Sequence, residues 1–154
     1  MRGLLSRQVT AGASGIGLVI VERLVEAGAQ CMVCDVDTAA LDACASTRHR
    51  PCVRADVANE AQVDALFEEV NQRLAVLDIL VNNAGISGPT ASLEELSLAG
   101  WRQTLAVNLD SHFLCTRREI PLLRAARGGS IVNMSSIGRR PGRRFRSTAT
   151  RRLG

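Results

Sequence analysis

A chain of 154 residues, 46% hydrophobic and 22% charged, has the composition of one globular domain, which excludes a disordered or fibrous protein. No run approaches the roughly 18 uncharged apolar residues of a membrane span, and residues 1–8 lack the apolar core of a secretion signal, so a cytoplasmic location off the membrane is expected. The net charge of +4 is unevenly placed: residues 1–138 hold 12 arginines against 15 acids, whereas residues 139–154 hold 7 arginines and no acid.

Along residues 1–138, short apolar runs alternate with amphipathic stretches, which predicts βαβ units and an α/β fold with a parallel sheet. A first strand ends at Thr10. Ser6, Arg7 and Gln8 interrupt it, although a central parallel strand is usually apolar on both faces. A helix follows over 16–27, apolar at Ile16, Val19, Ile20 and Leu24, with Gly28 as its stop. Residues 31–34 form the second strand. Cys31 and Cys34 have C-x-x-C spacing, but a strand points them to opposite faces, and five scattered cysteines suit buried thiols; no metal site is expected.

A second helix over 38–45 and a third strand over 52–55 come next. Asn59, with Gln62 three residues on, caps a third helix whose buried face is Val63, Leu66, Phe67, Val70 and Leu74. Residues 77–81 form strand four. Ser92 and Glu95 have capping-box spacing and start a short helical turn, and Ser97 precedes a long helix toward Ala126 that Pro121 kinks. Gly128 and Gly129 end that helix, and 130–134 form strand five. The change of composition places a boundary near Gly138, beyond which 139–154 read as an irregular arginine-rich tail.

The chemistry begins at Val-Thr-Ala-Gly-Ala-Ser-Gly-Ile-Gly, residues 9–17. A glycine-rich turn from strand to helix lets backbone amides approach a pyrophosphate that faces the helix N-terminus, a task for Gly12, Gly15 and Gly17. The same turn also occurs as a tight left-handed connection with no ligand. Asp35 ends strand two, 18 residues after Gly17, where a carboxylate can bond both ribose hydroxyls of NAD and repel the extra phosphate of NADP. Its plainer reading is a solvated acid that starts a turn with Asp37. Asp56-Val57 and Asn82-Asn83-Ala84-Gly85 close strands three and four at the carboxyl edge, where open α/β sheets bind ligands.

These residues resemble the short-chain dehydrogenase/reductase family. The turn is similar to its Thr-Gly-x-x-x-Gly-x-Gly, residues 78–85 to its Asn-Asn-Ala-Gly motif, Val107-Asn108-Leu109 to its mid-helix asparagine, and residues 131–136 to the strand that delivers its serine. The resemblance covers about residues 9–138. It implies a Rossmann-type doubly wound sheet, here cut short after about five strands, a nicotinamide cofactor, and reversible oxidation of a small-molecule alcohol to a carbonyl; Asp35 makes that cofactor NAD rather than NADP. By position, Gly12, Ser14, Gly15, Ile16 and Gly17 would hold the pyrophosphate, Asp35 the adenosine ribose, and Asp56 with Val57 the adenine. Asn83, Ala84 and Gly85 would flank the nicotinamide-side ribose, Ser136 would bind the reacting oxygen, and Asn108 would join a proton relay. Read without the family, Ser136 is a strand-end hydroxyl and Asn108 a satisfied helix polar group.

Departures from the pattern matter as much. Ala11 stands for the first glycine of the turn, a mild change as long as it keeps a negative φ. The family's Tyr-x-x-x-Lys is missing: the chain has no tyrosine, all 19 basic residues are arginine, and the expected place holds Ala149, Thr150, Arg151 and Arg152. Negligible turnover is therefore expected. A shifted reading frame near codon 138 of a GC-rich gene would produce such a tail, and without the helix that in the family follows strand five, packs on the long helix around Asn108 and shares in the oligomer interface, that apolar face would stay uncovered. Two other readings are a noncatalytic NAD-binding module and, least favoured, a tail that binds nucleic acid through its arginines.

Overall fold

The computed structural model describes residues 6–48, 50–74 and 77–136, together with the short strand Arg146–Ser147. The elements run β1 (Ser6–Thr10), α1 (Gly15–Glu26), β2 (Gln30–Asp35), α2 (Thr38–Arg48), β3 (Cys52–Arg54), α3 (Glu60–Arg73) and β4 (Ile79–Asn82). They continue with β5 (Ala91–Ser92), α4 (Leu98–Leu105), a π-helical segment (Ala106–Asp110), α5 (Ser111–Ala125), β6 (Ser130–Asn133) and β7 (Arg146–Ser147). Five of the strands make one parallel sheet in the order β3-β2-β1-β4-β6. This is the expected Rossmann-like α/β fold. No described helix is long and apolar enough to cross a membrane.

Helices cover both faces of the sheet. One cluster packs Met32, Cys34 and Leu80 of the sheet against Val63, Leu66, Phe67 and Val70 of α3 and Leu114 and Cys115 of α5. The other packs Val9, Cys31, Val33 and Val81 against Val21 of α1 and Leu41 and Cys44 of α2. Cys31 and Cys34 thus lie on opposite sides of the sheet, as alternation along a strand requires. The central place of β1 buries all five of its residues, so Ser6, Arg7 and Gln8 sit in the interior despite their polarity.

Most elements fall where the sequence puts them, within a residue or two at the ends. In α3, Asn59 accepts from the Gln62 amide at 3.1 Å, and the predicted face is buried. The Gln62 side chain reaches past Asn59 and accepts from the Asp56 amide at 2.8 Å, so the box is not reciprocal. In α1 the buried stripe is Gly17 and Val21, while Ile16 and Val19 face solvent at 68% and 54% exposure, because the glycine side of the helix approaches the sheet. Ser92 to Glu95 closes a single turn, with the Glu95 amide donating to the Ser92 carbonyl. Arg146–Ser147 pairs antiparallel with β5, so the tail expected to be irregular contains a two-residue strand. The boundary at Gly138 and residues 139–145 and 148–154, Ala149 to Arg152 among them, lie outside the described residues.

Helix α5 docks on α3 through Arg117–Glu60 and Arg118–Asp64 ion pairs. On its inner side, Glu119 is fully buried and neither carboxyl oxygen has a hydrogen-bond partner. Burial, and secondarily the charge of Asp78, pushes its carboxyl up to about 8. An unfolded glutamate releases its proton near pH 4.3, so between roughly pH 4.3 and 8 the unfolded chain holds fewer protons than the folded one. Stability is therefore full below that window and falls as pH rises through it, by up to about 1.4 kcal/mol per pH unit. Urea unfolding of the wild type from pH 5 to 8 is expected to show this decline, and Glu119→Gln to flatten it; equal slopes for the two proteins would contradict the assignment.

Candidate active site

The order of the strands reverses between β1 and β4, so the chain leaves these two neighbours toward opposite sides of the sheet and opens a crevice at their carboxyl ends. Thr10, the last residue of β1, closes the floor of that crevice. Its hydroxyl accepts from the Asn83 amide at 2.9 Å and the Ala84 amide at 3.0 Å and donates to the Val81 carbonyl at 3.4 Å. A hydroxyl has one proton and two lone pairs, and all three are used. The Asn83 side chain returns across the gap and donates to the carbonyls of Thr10 and Ala11, both at 3.1 Å.

Above this knot runs the glycine turn. Ala11 adopts φ 49°, in the left-handed region, so the negative φ that would have made its replacement of glycine mild is not what the fold uses. Gly12 is packed between strands: a Cβ there would lie 3.1 Å from both the Val9 carbonyl oxygen and Val33 Cγ1. Gly17 is held as closely, with a Cβ falling 2.6 Å from Asn83 Nδ2 and closer still to the Ala11 carbonyl. These two glycines serve strand and helix packing, whereas Gly15, at φ 52° with open space on its Cβ side, faces outward.

Ser14 is the N-cap of α1, yet its hydroxyl caps no amide, and the first turn contains no acid. The leading amides of a helix have no partner within it. Ser14, Gly15 and Ile16 are all exposed there, so unpaired N–H groups and the positive end of the helix dipole face the crevice, an arrangement that fits a pyrophosphate.

Asp35 reaches the same place from the end of β2. It is buried at 8% exposure, one oxygen accepting from the Ala13 amide of the turn at 3.3 Å and the other from Val36 and Asp37 amides at 2.8 and 3.2 Å. It is thus not the solvated acid of the plainer reading, though it does organise a turn with Asp37, whose own carboxylate accepts from Ala40 and starts α2. Asp56, two residues past β3, accepts from the Ala58 amide at 2.9 Å, while Val57 is buried in the α3/α5 cluster. Ala84 is buried and Gly85 exposed.

Asn108 lies in the π-helical segment, where Ser111 donates its hydroxyl to the Val107 carbonyl at 2.6 Å and the wider helical turn takes up an extra residue. The Asn108 amide clamps the backbone of Ile86: its oxygen accepts from the Ile86 N–H at 2.7 Å and its nitrogen donates to the Ile86 carbonyl at 2.8 Å. The structure thereby brings Asn108 beside the loop that follows Gly85. Ser136 is exposed just past β6, on the same edge of the sheet, where the Met134 amide bonds the Asn82 carbonyl at 2.9 Å.

Sequence reasoning passed over Thr10 and Ile86. Thr10 heads the glycine motif and sits where two neighbouring strands end, a detectable signal; Ile86 acts only through its backbone and leaves none. On the helical side, Leu109 and Phe113 stand 56% and 60% exposed, on the long helix whose face was expected to be uncovered.

A family model described as short chain dehydrogenase matches residues 8–147, past the boundary drawn at Gly138. A cis-4-hydroxycyclohexanecarboxylate dehydrogenase of Sinomonas cyclohexanicum is 41% identical over 133 residues, covering 84% of this chain and 53% of that protein. An L-fucose dehydrogenase of Bos taurus is 40% identical over 132 residues, with 84% and 48% covered. Among solved structures, a short-chain dehydrogenase from Streptomyces avermitilis superposes with a TM-score of 0.82 at 28% identity, over 88% of this chain and 50% of that one. The chain thus spans about half the length of the relatives it matches.

Two stability outcomes follow from this geometry. Ala11→Gly relieves a left-handed alanine at about 1–2 kcal/mol but loosens the unfolded chain by about 0.4–1 kcal/mol, so a net gain of roughly 0.5–1 kcal/mol is expected in urea unfolding. A loss of stability would show that Ala11 is unstrained. Asn108→Leu strands the Ile86 amide and carbonyl and should cost roughly 2 kcal/mol; an unchanged urea midpoint would mean that the clamp carries no weight.

Proposed function

The chain belongs to the short-chain dehydrogenase family, and on that premise we propose that it binds NAD in preference to NADP at the β1/β4 crevice and, as it stands, transfers no hydride. The observation that carries the reading is Asp35: a buried carboxylate bonded to the Ala13 amide, next to exposed and unpaired amides at Ser14, Gly15 and Ile16. The Ala13, Val36 and Asp37 amides take three of its four lone-pair sites, and the one that remains on the Ala13-bonded oxygen suits one of the two ribose hydroxyls. Its charge opposes a phosphate on either of them.

The amides around Gly15, with Gly12 and Gly17 holding the turn in place, take the pyrophosphate. Asp56 and Val57 flank the adenine. Asn83, Ala84 and Gly85 border the nicotinamide-side ribose through their backbone, since the Asn83 side chain is engaged with Thr10 and Ala11. Asn108 positions this loop by holding Ile86, and Ser136 offers its hydroxyl to the oxygen of an alcohol or carbonyl substrate. A bound nicotinamide supplies a hydride acceptor or donor.

Hydride transfer also needs a group that takes and returns the substrate proton. A tyrosine phenol of pKa about 10 does so at neutral pH only when a neighbouring cation lowers it. The chain contains no tyrosine and no lysine, and a guanidinium stays protonated and serves as no base. The half of the site built from backbone supports cofactor binding, while the half that needs particular side chains is missing its proton carrier.

Fluorescence titration with NADH and NADPH tests the binding. NADH is expected to bind at least about tenfold more tightly, and Asp35→Ser to bring the two near equality. Equal or stronger NADPH binding by the wild type sinks the cofactor assignment. Alcohol-dependent NADH formation by the pure chain is expected to be undetectable, and turnover above background would overturn the inactive reading.

A further inference from the structure

At the opposite, amino-terminal edge of the sheet two arginines are buried without counter-ions. Arg7 lies in β1 directly beside Cys31 of β2. Arg50 stands two residues before Cys52, which pairs with Val33, and the Val33 amide bonds the Pro51 carbonyl, so the same register puts Arg50 beside Cys31 on the other side. Alternation along the strands gives Arg7, Cys31 and Arg50 one face, that of Val9 and Val33, under α1 and α2. Both guanidinium groups bear on the Cys31 thiol, lowering a pKa that burial raises overall.

The two side chains are 8% and 9% exposed. Arg7 Nε and both Nε and Nη1 of Arg50 are buried with no hydrogen-bond partner. All 15 carboxylate side chains of the sequence lie among the described residues, and no ion pair joins any of them to Arg7 or Arg50. The thiol between them is protonated and donates toward the Val21 carbonyl, so it supplies no negative charge. Guanidinium groups keep their charge in proteins. Two unpaired, largely buried cations one strand apart on either side of Cys31, at roughly 4.8 Å per strand, repel each other and have each lost part of their hydration.

A tetrahedral oxyanion removes all of these costs at once. We propose that Arg7 and Arg50 form a binding site for a small oxyanion of the phosphate or sulfate class over Cys31, at the sheet edge remote from the glycine turn. Such an anion accepts the forked donors of both arginines and matches their combined charge. Binding to the folded chain alone also stabilises it.

The test is equilibrium dialysis of the full chain against radiolabelled inorganic phosphate, with thermal unfolding in phosphate and in chloride at matched ionic strength. NAD is present at saturation to occupy the glycine turn. One phosphate per chain is expected, with a saturable rise in unfolding temperature that chloride does not reproduce. Arg7→Met and Arg50→Met should each weaken phosphate binding about 10- to 100-fold, the worth of a hydrogen bond to a charged group, while leaving NADH binding unchanged. Each also removes an unpaired buried charge, so either variant is expected to fold at least as well as the wild type in phosphate-free buffer. The proposal is overturned if chloride gives the same rise, or if phosphate binding survives in both variants. Failure of NADH to bind would count against the cofactor reading alone, since dialysis without NAD reads the arginine site through its dependence on Arg7 and Arg50.

Discussion

The crevice exists because one hydroxyl ties the ends of two strands together. β1 and β4 diverge from Thr10 onward, and a parallel pair that splits in this way leaves amides on both sides that have lost their ladder partners. Thr10 satisfies two of them, at Asn83 and Ala84, and the Asn83 side chain satisfies the carbonyls of Thr10 and Ala11 in return. Everything that faces the crevice hangs from this exchange. The glycine turn leaves from Thr10, the Asn83–Gly85 loop leaves from its partner, and Asn108 then fixes the next residue of that loop through Ile86.

The same strand carries the heaviest cost in the fold. A central parallel strand is covered on both faces and has no solvent to receive polar side chains, yet β1 brings Arg7 and Gln8 into the interior, and the Gln8 amide is fully buried with neither polar atom paired. With Glu119 on the α5 side and Arg50 on the α2 side, unpartnered polar groups lie on both faces of the sheet. Each costs about 1–3 kcal/mol, more where charged, against a total stability that for most domains is only 5–15 kcal/mol. The apolar clusters around Leu66 and Val33 therefore work against the centre of their own sheet.

Periodicity made most of the fold legible. The apolar spacing of α3 and the glycines at 12, 15 and 17 depend on local geometry, so residue identities report them directly. The buried face of α1 was misjudged because Gly17, not an aliphatic residue, makes the close approach, and glycine carries no hydrophobic signal. Arg7 and Gln8 were read as interruptions of a strand when they are its buried middle, since neighbours in space outweigh composition. The sign of φ at Ala11 was equally hidden, because a left-handed alanine is imposed by the chain on either side. Asn108 was legible as a polar residue in a helix, but its partner, a backbone group 22 residues away, has no residue type to read.

The two halves of the candidate site place different demands on a sequence. Pyrophosphate recognition uses amides, a helix end and glycines that keep side chains out of the way, so almost any residues that fold the turn will supply it; Ala11 for glycine shifts the cost without removing the donors. Proton transfer tolerates no such substitution. In the family's pattern it rests on one phenol and one ammonium at fixed positions, because the pKa of the first must be moved by the charge of the second. Arginine does not replace that pair, since a guanidinium near a hydroxyl can stabilise charge but cannot accept a proton. Under the proposed function, cofactor binding and turnover are for that reason separable, the first resting on backbone at the end of β1 and the second on a tyrosine and a lysine that this sequence does not contain.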